Sequence, residues 1–96
     1  MLTSETRFET PNASKYLQQL CKHFGHRVEE THTETEGRVE LPLGPATMHA
    51  DDASLALTVT AADEASLGTA QSVVEDHLKR FAFREEFDKL DWSAPT

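Results

Sequence analysis

Apolar and polar positions along the chain switch between two periods, and each switch marks a predicted element. Over residues 4–10 polar and β-branched side chains alternate around Phe8, the period of two that belongs to a strand. Its apolar face is thinly populated, which predicts a place at a sheet edge. Thr10 followed by Pro11 then opens a helix, with Asn12 as the other cap candidate. Inside it Tyr16, Leu17, Leu20, Cys21 and Phe24 form one stripe of a 3.6-residue spiral, and Lys15, Gln18, Gln19, Lys22 and His23 take the other side. Gly25 is expected to end the helix as a left-handed residue, with Lys22 and His23 facing the carbonyl end of the dipole.

Beyond Gly25 the period returns to two, in short pieces at about 27–32, 38–41, 46–50 and 55–61. The segments between them, 33–37, 43–45 and 51–53, have turn composition. In the last piece Leu55, Leu57, Val59 and Ala61 share one face against Ala56, Thr58 and Thr60, and the piece before it turns Ala46, Met48 and Ala50 inward. Asp63 then caps a second helix in which Leu67, Ala70, Val74, Leu78 and Phe81 form the apolar stripe, with Glu75–Lys79 and Asp76–Arg80 spaced as i to i+4 pairs. The helix is expected to stop near Phe81 or Ala82. Phe83 and Phe87 are expected to pin the tail over the core with Leu90 and Trp92, Arg84 to pair with a carboxylate, and residues 93–96 to fray.

Strand, helix, four strands, helix is an α+β order. Short turns between the strands make the sheet antiparallel, and two amphipathic helices covering one face make a two-layer sandwich. A ferredoxin-like order is the alternative, and it requires two of the four short strands to fuse or vanish. Ninety-six residues enclose one core, so a single domain is expected over 1–96 with its ordered part at about 4–92.

Charge narrows the partners. Seventeen acidic against nine basic side chains give a formal net charge of -8, a field that repels nucleic-acid backbones and anionic membranes, and no Lys or Arg run is longer than two. One cysteine cannot close an internal disulfide, and neither a signal peptide nor a membrane-spanning run is visible, so a cytoplasmic location is expected.

The stretch CKHFGH is the one place where chemistry-bearing residues crowd together. Cys21 lies on the buried stripe, and His23 is rotated from it by about 200° around the helix axis, so the pair does not chelate. His23 and His26 can converge, with His49 and His77 joining only through tertiary contact, but the spacings typical of zinc sites are missing. His77 stands at the edge of the second apolar stripe, where a hydrogen-bonded boundary histidine is expected. The adjacent carboxylates Glu29-Glu30, Asp51-Asp52 and Glu85-Glu86 diverge rather than pair for acid–base work, and no serine has a nucleophile-elbow context.

The blocks YLQQLCKHFGH, GRVELP and HLKRFAFRE resemble, in order and spacing, a family of small bacterial proteins, the domain of unknown function numbered 2218, over about 11–92. The resemblance implies a β-α-β4-α arrangement similar to the TATA-binding-protein-like class. Members of the family look to be stand-alone or attached to siderophore-interacting flavin reductases, which implies an association with iron handling. The family pattern matches at Leu20, Cys21, His23, His26, Gly37, Arg38, His77, Arg80, Phe81, Phe83, Arg84 and Glu85. Its polar members His23, His26, Arg38, His77, Arg80 and Arg84 are the candidate ligand-binding residues.

The function expected is a non-catalytic accessory module that binds a small molecule or a protein, on the sheet face that two helices leave open, with no cofactor. A small metal-dependent protein or enzyme using His23, His26 and His77 is the alternative, with His23 and His26 as its metal ligands. A structural homodimer is the third reading.

Overall fold

The alternating segments pair into one antiparallel sheet. In the computed structural model, which describes residues 1–85 and 89–96, β1 (Leu2–Glu9) is followed by α1 (Ala13–Phe24) and then by β2 (Glu30–His32), β3 (Glu36–Leu41), β4 (Gly44–Ala50) and β5 (Ser54–Ala61). Helix α2 (Glu64–Phe81) and a single 3₁₀ turn at Phe83–Glu85 follow. The sheet order is β1-β5-β4-β3-β2, with every neighbouring pair antiparallel. The four strands between the helices stay separate, so the ferredoxin-like order is not the one taken.

Register follows from burial. Leu55, Leu57 and Val59 on β5 align with Ala50, Met48 and Ala46 on β4, and all are buried beneath the helices. The apolar stripes of α1 and α2 supply the other half of the core, with Leu17, Leu20, Leu67, Val74 and Leu78 fully buried. Asp63 accepts the Ser66 backbone N–H at 2.8 Å, as its position before α2 predicts. No described helix is long and apolar enough to cross a membrane.

Several local expectations give way to packing. Gly25 is right-handed (φ -61°), because the chain keeps turning and Val28 N–H still bonds the Phe24 carbonyl at 3.0 Å. Asn12 is the cap of α1 without a side-chain bond, while Thr10 Oγ1 accepts the Asn12 N–H. Gly37 is no turn residue. It lies within β3 opposite Met48, where an added Cβ would stand 2.7 Å from Cys21 Sγ and 3.3 Å from Leu17 Cδ2. Gly44 opens β4 with φ +149°, and a Cβ there would meet the Thr60 carbonyl oxygen at 1.8 Å, so only glycine fits. Glu75–Lys79 and Asp76–Arg80 are not ion pairs among the described residues; Glu75 Oε1 instead accepts the Leu90 N–H at 2.7 Å.

The tail differs most from expectation. Leu90 is buried and Trp92 packs against the core, but Phe83 is 67% exposed, since the 3₁₀ turn swings it outward after α2 stops at Phe81. Phe87 and Glu86 lie outside the described residues. Rather than fraying, the last residues pair with the free edge of β1: Ser93 N–H bonds the Glu5 carbonyl at 2.7 Å, and Thr3 and Thr96 exchange both backbone bonds at 3.1 and 3.0 Å. Ser4 and Thr6, which face inward, donate their hydroxyls to the Ser93 and Asp91 carbonyls at 2.6 and 2.8 Å. The thin apolar face of β1 therefore has a cause, because its hydroxyls satisfy tail carbonyls that would otherwise be unpaired.

Deleting residues 93–96 should leave the buried Ser4 hydroxyl unpaired and the β1 edge open, at a cost of about 1–3 kcal/mol in urea denaturation. A truncated chain as stable as the full one would show that this pairing contributes nothing.

Candidate functional site

The C-terminal turn of α1, the continuing turn to Val28, the α2 face and the β3–β4 hairpin enclose a groove of about 490 Å³. It is lined by His23, Phe24, His26, Arg27, Val28, Leu41, Pro42, Val73, His77 and Arg80. Each wall follows from the local sequence. Bonds from His26 N–H to the His23 carbonyl and from Arg27 N–H to the Phe24 carbonyl curl His26 and Arg27 back toward α2. On α2, Val73, His77 and Arg80 are spaced by four and three and so share one face.

The rings meet across the helix pair. His23 and His77 have centroids 4.8 Å apart, Phe24 lies 4.8 Å from His77, and Phe81 lies 5.9 Å from His23. His77 Nδ1 is 2.6 Å from the Val73 carbonyl. A carbonyl only accepts, so Nδ1 carries a proton and Nε2 is the nitrogen left free of this bond. Burial, followed by the positive neighbours His77, His26, Arg80 and Arg27, holds the His23 imidazole below its ordinary pKa. The positive neighbours form a basic cluster in an acidic protein. The groove's described lining contains no carboxylate, although acidic residues outnumber basic ones by seventeen to nine.

An apolar depression of about 180 Å³ adjoins it, lined by Leu41, Pro42, Leu43, Ala70 and Val73. The two share Leu41, Pro42 and Val73, so a basic end runs into an apolar end.

Of the six candidate residues, the structure brings His23, His26, His77 and Arg80 together. Arg38 points from β3 to the opposite sheet face, beside its register partner Thr31, where its Nε bonds Glu40 at 2.8 Å. That open face is polar, with Glu36 and His49 also 3.0 Å apart, which makes it a poor seat for an apolar ligand. Arg84 lies past α2, its guanidinium 5.6 Å from the Phe83 ring centre, and forms no ion pair among the described residues.

His23, His26 and His77 do not bring three donor atoms together. Among the described residues, Cys21, Glu30 and His32 do, within 4.8 Å of one another. Sequence reading missed Glu30 and His32, although E-x-H on a strand puts both side chains on one face. Burial, and then the charge of Glu30, push the Cys21 thiol up to about 11, so it is no ready nucleophile.

A second polar cluster holds the site's frame. Glu85 Oε2 accepts from Thr10 Oγ1 at 2.9 Å, from Asn12 Nδ2 at 3.4 Å and from the Tyr16 hydroxyl, tying the end of α2 to the start of α1. Burial alone would raise the Glu85 pKa, but these donors outweigh it and hold the carboxyl below its usual range. Burial and then Glu85 raise the Tyr16 pKa.

Fold and site together define a small two-layer α+β domain with a basic, part-apolar groove at one end. The chain belongs to the family described as uncharacterized protein conserved in bacteria (DUF2218), whose model matches residues 5–93. It is similar to the NMR structure of PA4090 from Pseudomonas aeruginosa, at 30% identity and a TM-score of 0.78 over 97% of this chain and 94% of that one. No curated protein matches it.

Because the folded Glu85 pKa is depressed, its stabilisation is present above the unfolded carboxyl pKa and is lost as pH falls through the folded value. Glu85→Gln should therefore cost about 1–3 kcal/mol near neutral pH, and the difference from the parent should shrink below about pH 4 in urea melts. A difference that does not vary with pH would remove the charge from this account.

Proposed function

We propose that this domain is a non-catalytic binding module that takes a small organic anion into the groove between α1 and α2. The anionic head would lie among His23, His26, Arg27, His77 and Arg80, and an apolar body along Leu41, Pro42 and Val73. The observation that carries the reading is the charge sorting. Among the described residues, five basic or imidazole side chains and no carboxylate line one groove of a chain with net charge -8. Field lines from such a patch concentrate an anion that the rest of the surface repels.

Binding rather than catalysis is favoured by what else lines the groove. Its described lining holds no serine, threonine, cysteine or carboxylate, so neither a nucleophile nor a base–carboxylate pair accompanies the imidazoles. The siderophore association that the family resemblance implies would be compatible with this chemistry, since siderophores carry carboxylate or catecholate anions on organic frames.

The test is an amide-shift NMR titration with benzoate and octanoate as probes, sulfate as a control for charge alone, and a ferric catecholate to examine the iron association. Saturable shifts are expected at His23, Val73, His77 and Arg80. Arg80→Ala and His77→Ala should each weaken octanoate about fivefold or more, while Arg38→Ala and Arg84→Ala leave it unchanged. An anion favours the charged imidazole, so affinity should rise as pH falls from about 7.5 to about 5.5, through and below the ordinary histidine range. Shifts centred on Arg38 and Thr58, or an Arg80→Ala variant that binds as the parent does, would place the ligand elsewhere.

A further inference from the structure

On the other side of α1 from the groove, side chains of three metal-ligating types meet from two elements. Cys21 projects from α1 onto the sheet and is fully buried. Glu30 and His32 are two residues apart on β2, so both face the helix, and each side chain keeps 20% of its surface open to solvent. Glu30 Oε2 and His32 Nδ1 are 2.7 Å apart, and one donor atom from each of the three residues lies within 4.8 Å of the others. Gly37, the register partner of His32, lacks the Cβ that would stand 2.7 Å from Cys21 Sγ. That missing atom is what admits the thiol to the strand.

We propose that Cys21, Glu30 and His32 form a three-ligand site for a borderline divalent cation, Zn²⁺ foremost, with a fourth position open toward the solvent edge of β2. The donor set selects the ion. A thiolate with an imidazole suits zinc, cobalt or iron(II), whereas magnesium and calcium take oxygen alone. Tetrahedral bonds of about 2.0–2.3 Å put ligand atoms roughly 3.3–3.7 Å apart, so the trio needs only rotamer-scale adjustment to close. On binding, the proton that His32 Nδ1 shares with Glu30 leaves Nδ1 to solvent, and the neutral imidazole carries its one N–H at Nε2 instead. The Cys21 thiol proton leaves to solvent as the metal–sulfur bond forms. The site is separate from the groove, and neither proposal depends on the other.

Co²⁺ titration of the full chain, purified without a histidine tag, tests this. One equivalent should produce a near-ultraviolet thiolate-to-cobalt charge-transfer absorption together with tetrahedral visible bands, both displaced by Zn²⁺. Cys21→Ser should abolish the charge-transfer absorption. His32→Gln, at a part-exposed edge position where circular dichroism should show the fold retained, should weaken binding at least tenfold, and His49→Gln should change nothing. Saturable binding without thiolate absorption, binding lost in His77→Ala but kept in His32→Gln, or no saturation at one equivalent would each overturn the proposal.

Discussion

The close seat of α1 on β3 is the contact from which the remaining geometry follows. Gly37 leaves room for Cys21 Sγ to reach the sheet, 2.7 Å from where a Cβ would stand, with Leu17 Cδ2 close by at 3.3 Å. Once Cys21 points down there, the 3.6-residue spiral turns His23 away from the sheet and brings Phe24 onto α2 beside His77. One packing contact thus sets two chemical neighbourhoods. The thiol side meets Glu30 and His32, and the opposite side supplies the basic wall of the groove.

The other end of α1 is held by hydrogen bonds to a carboxylate in addition to the packing of Ala13 and Tyr16. Glu85 gathers hydrogen bonds from Thr10, Asn12 and Tyr16, residues that flank or begin the helix, and so fixes where the chain leaving α2 crosses it. Backbone pairing of Ser93 and Thr96 with Glu5 and Thr3 covers an edge of β1 that would otherwise be open to strand addition. The sheet is left with β2 as its short free edge, three residues long.

Periodicity carried most of the architecture. Both apolar stripes, all five strands in order and the Asp63 cap were legible because each depends on local spacing, which sequence displays directly. The misses share a physical cause. Gly25 read as a left-handed helix end and Gly37 as part of a turn, yet each makes room for a side chain of another element, Glu30 Cγ at 2.9 Å from a Cβ on Gly25 and Cys21 Sγ at Gly37. Ser4 and Thr6 looked like a weak strand because their partners are backbone carbonyls some 85 residues away. Within the site, His77 and Arg80 were findable from their shared helix face. Arg38 was misplaced because only the sheet register shows that it points away from both helices.

A double-mutant cycle between Gly37→Ala and Cys21→Ala, read as unfolding free energy in urea, tests the seat of α1 most directly. If the contact at Gly37 positions the helix, Gly37→Ala alone should cost about 1–3 kcal/mol by overpacking. In the Cys21→Ala background that cost should fall by at least about 0.5 kcal/mol, because the sulfur that the new methyl strikes is gone. A Gly37→Ala variant as stable as the parent, or two strictly additive losses, would contradict the account.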